Sequence, residues 1–313
     1  MMNHPQKDPV TITDVTLREF GQNVPAESLP VFTPEVRVDM ARRLADSGFR
    51  NMEVFSCVNP RVAPAMNREH IARIAAGLGR IEDVNIITAV PNRAGYENFL
   101  SLGLGRDGYN HILGVFFSAV EAHNLANLGR TIKETLQEYE AVLKDAAARG
   151  IRVAAYVSGA FGYRLPEGGE VLRPTPQEIN AHIDWYLELG AETVTLSDLQ
   201  GVSDDKQTTI FFEALMDGRG EGDLALLGYH PHHVSGEEAV ANSMAAYEIG
   251  IRRFDASLGG TGGCVTGAPG NQPTELLVKT FHAGGVSTGI DEGKVRSLAL
   301  LARTALYDKI PMK

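Results

Sequence analysis

Two histidines on one short segment and a later glycine-rich loop are the residues of this sequence best suited to chemistry. His230 and His232 follow an apolar run, and alternate residues of a β-strand share a face, so these two imidazoles point together and His233 points away. Two imidazoles on one strand face form half of a divalent-metal site. The loop from Gly259 to Asn271 contains Cys264. If this loop folds over the same pocket, the pattern predicts a metal-assisted enzyme with a thiol on its lid.

The composition restricts the possible partners. The 313 residues are 43% hydrophobic and 22% charged, which is typical of a soluble globular protein. With 29 Lys and Arg against 39 Asp and Glu the net charge is −10, and no basic block is present. This balance argues against nucleic acid or an anionic membrane as the main partner, but allows an anionic small-molecule substrate held by a local Arg or metal.

Cysteine usage and the N-terminus indicate a compartment. Cys57 and Cys264 are the two cysteines and form no disulfide framework, which favours a reducing environment. The first residues lack the apolar core of a signal peptide, and no apolar run approaches the ~18–20 residues of a membrane helix. We therefore expect a cytoplasmic location.

Short Val- and Ile-rich segments alternate with longer amphipathic segments along the chain. The pattern predicts eight strands, at residues 10–16, 49–55, 84–90, 111–117, 151–157, 192–196, 224–229 and 251–256. Helices are expected between them, the longest at 131–149. Eight alternating units favour closure into a (β/α)8 TIM barrel rather than an open sheet. We expect one catalytic domain over residues 1–313, with an additional C-terminal helix.

Polar residues gather where the predicted strands end, which is where the chemistry of a TIM barrel lies. They are Asp14, Arg18, Glu19 and Gln22 after strand one, Glu53 on strand two, Ser118, Glu121, His123 and Asn124 after strand four, Asp198 on strand six, and His230 and His232 on strand seven. A carboxylate from strand one can meet two histidines from strand seven across the barrel mouth. Such a set suits Mg²⁺ or Mn²⁺, with Zn²⁺ as an alternative.

Five segments occur in an order typical of a known superfamily. They are Thr16–Glu19, Glu53–Pro60, Ser118–Asn124, Tyr229–His232, and Gly259–Cys264 followed by Gly270–Asn271. Together they resemble the metal-dependent lyase and Claisen-synthase superfamily of barrels, and most closely its 3-hydroxy-3-methylglutaryl-CoA (HMG-CoA) lyase branch. The resemblance runs from about Val10 to Leu277. Each segment alone is a weak signal, whereas five in register are specific.

The resemblance implies a set of metal ligands. Glu19 would bind the metal where lyases have Asp and some synthases have Glu. His230 and His232 would be further ligands, and Asn271 a fourth through its amide oxygen. Arg18 would hold and polarise the substrate carbonyl oxygen, stabilising the enolate that forms.

The resemblance also implies proton handling. Cys264 would move protons from a mobile loop, and Glu53 and Asp198 would support the site or handle protons. Each has a structural alternative: Cys264 could be inert, Glu53 could form a salt bridge to Arg18, and Asp198 could cap the helix after strand six. We interpret Cys57 as a packing residue.

Two loops depart from the family pattern. The stretch from His230 to Asn242 is one residue longer, and His233 stands where the family has Asp or Asn. Between Cys264 and Asn271 the chain is about two residues shorter, and Pro269 replaces a small polar residue. The loops that shape the substrate pocket therefore differ, which leaves the acyl group open.

The resemblance implies a carbon–carbon lyase acting on a 3-hydroxyacyl-CoA, most simply HMG-CoA, to give acetyl-CoA and acetoacetate. One alternative is an acyl-CoA-dependent condensing synthase of the homocitrate, isopropylmalate or citramalate type, at which Glu19 hints. A non-catalytic barrel is the other, although a scaffold has no need of the complete set of ligands. A homodimer is expected from the resemblance.

Overall fold

Eight parallel strands close into a barrel in the computed structural model, which describes residues 7–106, 110–166, 168–217, 219–262 and 269–310. The strands are β1 Thr11–Asp14, β2 Asn51–Ser56, β3 Asn85–Val90, β4 His111–Ser118, β5 Val153–Ser158, β6 Ala191–Asp198, β7 Leu227–Pro231 and β8 Arg253–Ala256. Their order around the barrel is β1-β8-β7-β6-β5-β4-β3-β2. The predicted (β/α)8 TIM barrel is confirmed.

Helices follow the strands and form the outer layer. They are α1 Thr16–Asn23, α2 Pro34–Asp46, α3 Arg68–Leu78, α4 Arg93–Ser101, α5 Glu121–Leu128, α6 Ile132–Ala148, α7 Pro176–Glu188, α8 Asp205–Met216, α9 Glu221–Leu224, α10 Gly236–Ile249, α11 Thr274–Ala283 and α12 Glu292–Ala302. Threonine side chains cap several of them; Thr131 and Thr175 form capping boxes with Glu134 and Glu178. The predicted additional C-terminal helix is α12. None of the helices in the described ranges has the length and apolar content needed to cross a bilayer.

Side chains on successive strand residues alternate between the inside of the barrel and the layer beneath the helices. The main core includes Ile86, Leu113 and Ala155, whereas their neighbours Ile87, Ile112 and Ala154 form a separate small cluster with Tyr156. The same alternation puts Glu53 and Asp255 on the inner face, because the residues on either side of each belong to the main core. The inside of the barrel therefore holds these two acidic side chains together with the small apolar cluster, and the main core lies between the strands and the helices.

Three details of the predicted secondary structure were wrong. Helices α1 and α5 follow β1 and β4 directly, where the sequence indicated only loops. Both have eight residues and carry many polar side chains, so a 3.6-residue periodicity is hard to recognise in them. Strand β7 begins at Leu227 rather than Leu224, because Leu224 ends α9. A small antiparallel pair, Tyr163–Arg164 with Val171–Leu172, was also missed.

Candidate active site

Helix α1 brings Arg18 and Glu19 to the barrel mouth. Leu17 and Phe20 on either side of this pair are fully buried and fix the helix against the core. The Arg18 guanidinium donates hydrogen bonds to Glu19 Oε1, to Glu53 Oε2 and, at 3.2 Å, to Gln22 Oε1. The salt bridge predicted between Glu53 and Arg18 is confirmed; a catalytic part for Glu53 stays a prediction.

Two carboxylates thus share one guanidinium in a buried setting. The Glu19 and Glu53 side chains are 2% and 1% exposed, against 12% for Arg18. Burial acts to raise the pKa of Glu19, but the positive charge of Arg18 and the hydrogen bond that it donates outweigh burial and hold that pKa below its ordinary value. Glu19 therefore remains a carboxylate at neutral pH.

Strand β7 places its two histidines side by side. His230 Nε2 lies 2.9 Å from His232 Nε2, which confirms that the two rings share a face. His232 Nδ1 lies 2.9 Å from the carbonyl oxygen of Pro269, and His230 Nδ1 lies 3.0 Å from Asp255 Oδ2. A carbonyl and a carboxylate only accept, so both Nδ1 atoms are donors. In neutral rings both Nε2 atoms then present lone pairs to each other.

Facing lone pairs at this distance repel unless a positive charge lies near them. Protonation of His232 does not remove this repulsion at neutral pH, because burial and then the neighbouring His230 lower its pKa to about 4. A cation that accepts both nitrogens removes the conflict. The chemistry of the histidine pair therefore fits a divalent cation, and their role as ligands stays a prediction.

Two oxygen atoms beside this pair also lack partners. Glu19 Oε2 and Asn271 Oδ1 are buried and form no hydrogen bond with any residue that the structure describes. The amide nitrogen of Asn271 donates to Thr261 O at 2.9 Å, which fixes the amide so that Oδ1 is free. A Cβ atom on Gly262 would lie 2.9 Å from Glu19 Oε2 and 2.8 Å from Asn271 Nδ2, so the two side chains meet beneath one glycine. Asn271 also pairs with His232 through a backbone bridge.

These four side chains fit a divalent cation by their chemistry. Two imidazole nitrogens, one carboxylate oxygen and one amide oxygen form a mixed set that Mn²⁺, Mg²⁺ or Zn²⁺ can accept. Each bare oxygen would otherwise carry a desolvation cost of about 1–3 kcal/mol. In the described ranges no group of three or more His, Cys, Asp or Glu forms a metal site by itself. The fit of these four side chains to a cation is therefore one of donor chemistry and not of an observed ligand spacing.

Asp198 lies at the end of β6, fully buried. Its two carboxylate oxygens accept hydrogen bonds from the backbone of Val202 and Ser203, both at 2.9 Å. The N-cap of α8 is Asp204, so the structural alternative for Asp198, a cap on that helix, was wrong: Asp198 caps the turn before the helix. A supporting or proton-handling role for Asp198 stays a prediction. Burial raises the pKa of Asp198 to about 6. Its backbone carbonyl accepts from the amide of His232 at 3.0 Å, which links it to the histidine pair.

Comparison with known proteins identifies a family whose profile spans nearly the whole chain. The sequence profile named HMGL-like matches residues 9–301. The chain belongs to the HMGL-like family. Family membership confirms the predicted resemblance, and lyases of this family depend in general on a divalent metal.

Individual relatives share most of their length with this HMGL-like chain. (R)-citramalyl-CoA lyase of Chloroflexus aurantiacus is 34% identical over 90% of this chain and 86% of that protein. A hydroxymethylglutaryl-CoA lyase of Bacillus subtilis is 31% identical, covering 96% of this chain and 95% of that protein. An HMG-CoA lyase of Acinetobacter baumannii, solved with coenzyme A and 3-methylmalate, superposes with a TM-score of 0.82 at 26% identity, over 98% of this chain and 93% of that one.

One of the two cysteines of this family member, Cys57, lies in the described part of the chain. Cys264, the predicted proton-transfer residue, lies outside the described residues. Cys57 is buried, and burial raises the pKa of its thiol to about 12, so it stays protonated and unreactive. The interpretation of Cys57 as a packing residue is confirmed.

One side chain of the site escaped the sequence analysis. Asp255 holds His230 through Nδ1, and such a carboxylate fixes the tautomer and ring orientation of a ligating histidine. The signal was an acidic residue on the inner face of a predicted strand, between the apolar residues Phe254 and Ala256. Strand eight was predicted over these residues, and the alternation of side chains along it puts Asp255 on the inner face.

Proposed function

We propose that this chain is a divalent-metal-dependent carbon–carbon lyase that cleaves the CoA thioester of a branched 3-hydroxy acid and releases acetyl-CoA. The observation that carries the proposal is the set of four unpartnered or mutually repelling ligand atoms, on Glu19, His230, His232 and Asn271, beside the Arg18 guanidinium. The lyase names of the relatives support the reaction class. The relative solved with coenzyme A and 3-methylmalate supports a thioester and a hydroxy diacid as the two substrate parts.

The reaction makes two demands on the site. The proton of the C3 hydroxyl must leave, and the electron pair of the C2–C3 bond must be accepted as that bond breaks. A divalent cation, when bound by the four side chains, supplies the Lewis acidity that lowers the pKa of a substrate hydroxyl. The remaining demand, stabilisation of negative charge on the thioester oxygen, falls on the protein.

Arg18 is suited to that task. Its guanidinium is held from two sides by Glu19 and Glu53, so it is oriented before the substrate arrives and need not reorganise. It would face the thioester oxygen on which the enolate charge develops. Glu53 acts in this proposal by fixing Arg18.

Protons balance over the cycle. The hydroxyl proton is removed, the C3 oxygen becomes a ketone, and the enolate of acetyl-CoA takes a proton at C2. Cys264 is proposed to carry the proton between the two atoms: its thiolate accepts the proton of the hydroxyl, and the thiol so formed gives a proton to C2. Asp198, whose carboxylate is engaged with the backbone, is proposed to support the histidine strand.

The names of the relatives suggest two candidate substrates, HMG-CoA and citramalyl-CoA. HMG-CoA and citramalyl-CoA both carry a tertiary hydroxyl, a methyl group and a free carboxylate, and differ by one methylene next to that carboxylate. HMG-CoA gives acetoacetate as the second product, and citramalyl-CoA gives pyruvate. Mg²⁺ or Mn²⁺ is the proposed ion, and the proposed assembly is a homodimer.

The test is product analysis on the EDTA-treated full chain. Each of the two thioesters is incubated with Mg²⁺, Mn²⁺ or Zn²⁺, and with EDTA, and acetyl-CoA and the keto acid are measured by mass spectrometry. We expect equal amounts of acetyl-CoA and one keto acid, formed only with metal. Absence of acetyl-CoA from both thioesters, with metal bound to the protein, would contradict the proposal.

A further inference from the structure

The segment Leu258–Gly262, here called the β8 segment, controls two of the proposed ligands. The carbonyl oxygen of Thr261 accepts from Asn271 Nδ2 at 2.9 Å and from Ser257 Oγ at 2.7 Å. Since a carbonyl can only accept, it takes the amide nitrogen and leaves Asn271 Oδ1 free to act as a ligand. The orientation of Asn271 thus depends on where the β8 segment lies.

The same segment lies against Glu19. Gly262 has a φ of +101°, and a Cβ atom there would come within 2.6 Å of the Glu19 Cβ. A side chain at this position would displace the carboxylate or the backbone. The β8 segment therefore covers Glu19 at van der Waals distance while it orients Asn271.

The segment is held at Leu258 from both sides of its backbone. The amide of Leu258 donates to Thr16 Oγ1 at 2.8 Å, and its carbonyl accepts from the hydroxyl of Tyr307 at 2.8 Å. Thr16 is the first residue of α1, which carries Arg18 and Glu19. Tyr307, by contrast, comes from the far C-terminus, 49 residues after Leu258.

Tyr307 also contacts α1 directly. Its ring lies 5.0 Å from that of Phe20, the buried residue that follows Glu19. It stands on a π-helical turn, Arg303–Tyr307, that continues α12, and such turns often occur near functional sites. Burial raises the pKa of Tyr307 well above its ordinary value, so the hydroxyl remains a donor across the working pH range.

We propose that Tyr307 is a positioning residue that locks the β8 segment to α1 and thereby sets the distance between the Glu19 and Asn271 ligand atoms. It touches neither ligand, and it acts through Leu258 on one side and Phe20 on the other. This inference rests on the proposed metal site, and it assigns to the C-terminal helix a part in building that site.

Metal affinity separates this role from general stabilisation. Tyr307→Phe removes the hydroxyl and keeps the ring, whereas Tyr307→Leu removes the contact with Phe20 as well. Tyr247→Phe is the matched control, because the Tyr247 hydroxyl likewise donates to a backbone carbonyl, that of Asp8 at 3.0 Å, while its ring packs on Phe281. Binding of Mn²⁺ to each EDTA-treated full-length variant is measured by calorimetry, with the melting temperature and the Mn²⁺ electron paramagnetic resonance spectrum recorded alongside.

We expect Tyr307→Phe to weaken Mn²⁺ binding about 5-fold, as for one neutral hydrogen bond. Tyr307→Leu should weaken it by about 10–100-fold, the range for residues that support metal ligands, and should alter the Mn²⁺ spectrum. Tyr247→Phe should bind as wild type does. Wild-type affinity in both Tyr307 variants, or an equal loss in Tyr247→Phe, would overturn this inference alone. A wild-type chain that binds no Mn²⁺ would overturn the proposed function and this inference together.

Discussion

Both ends of the barrel carry an arginine paired with glutamate, exposed to solvent at one end and buried at the other. At the amino end, Arg152 forms a two-pronged ion pair with Glu192, at 2.8 and 2.7 Å, and donates to Asn85 Oδ1 at 2.8 Å. The Arg152 and Glu192 side chains are 51% and 42% exposed. At the carboxyl end, Arg18 is shared by two carboxylates that are almost wholly buried.

The difference lies in how completely each network is satisfied. At the amino end the planar guanidinium of Arg152 pairs with the carboxylate of Glu192. Asn85 Nδ2 donates a further hydrogen bond to Asn51 Oδ1 at 3.0 Å. At the mouth, a carboxylate oxygen and an amide oxygen are left bare, and two imidazole nitrogens oppose each other. Buried polar groups in folded proteins are normally paired, so a cluster of exceptions indicates that a ligand completes it. The groups of the amino-end network pair with one another, whereas the mouth leaves ligand atoms for the cation and substrate that we propose.

Removal of one ligand should give the largest effect. Glu19→Gln and His230→Ala should reduce acetyl-CoA release below detection and weaken Mn²⁺ binding severely, because the first removes the negative charge of one proposed ligand and the second removes a proposed ligand nitrogen. The matched change at the amino end, Glu192→Gln, should leave the rate within about twofold, as expected for an exposed ion pair. Comparable losses in Glu192→Gln and Glu19→Gln would remove the distinction between the two ends.

Replacing the guanidinium should give the next effect. Arg18→Met should lower kcat by about 10²–10³-fold, the loss seen when one preorganised donor to a developing oxyanion is deleted. Arg152→Met should change kcat little, since its charge serves only the amino-end network. Steady-state kinetics with saturating Mn²⁺ measure both. Retention of wild-type kcat in Arg18→Met would mean that the enolate charge is stabilised elsewhere.

The fold and most of the proposed ligands could be predicted because their signals are local or ordered along the chain. Apolar alternation marks the strands, and the His230–His232 spacing alone puts two rings on one face. The strand pattern can show that Asp255 faces inward but not which residue it contacts, and no local pattern indicates Tyr307. Asp255 matters because β8 lies beside β7, and Tyr307 matters because the C-terminal helix returns to the mouth. Both facts depend on tertiary packing that no short pattern contains.

Asp14, which ends β1 at the mouth, should make the stability of the protein depend on pH. Burial raises its pKa from 3.8 to about 7, despite hydrogen bonds from Thr16. A raised folded-state pKa contributes stability that is complete below pH 3.8 and is lost as the pH rises through 7. As the pH rises from 4 to 7, the unfolding free energy of wild type should therefore fall relative to that of Asp14→Asn, by at most about 4 kcal/mol. Denaturant unfolding of both proteins at several pH values measures this change. A difference in unfolding free energy that does not vary with pH would contradict the prediction.

The smallest effect is expected for the stability of the amino-end pair. Arg152→Met and Glu192→Gln should each lower the unfolding free energy by less than about 1 kcal/mol, because exposed ion pairs are screened by water and salt. Raising the salt concentration should shrink the difference from wild type further. A loss of several kcal/mol at low salt would show that the amino end bears more of the fold's stability than its exposure indicates.

The proposed function requires one divalent cation, held by Glu19, His230, His232 and Asn271, for carbon–carbon cleavage. Its most direct test is a titration of the EDTA-treated chain with Mn²⁺, in which bound metal and the initial rate of acetyl-CoA release from HMG-CoA or citramalyl-CoA are measured on the same samples. We predict that the rate rises in proportion to bound Mn²⁺ and levels off at one ion per chain. Acetyl-CoA release at the full rate without metal, or one bound ion with no release from either thioester, would contradict it.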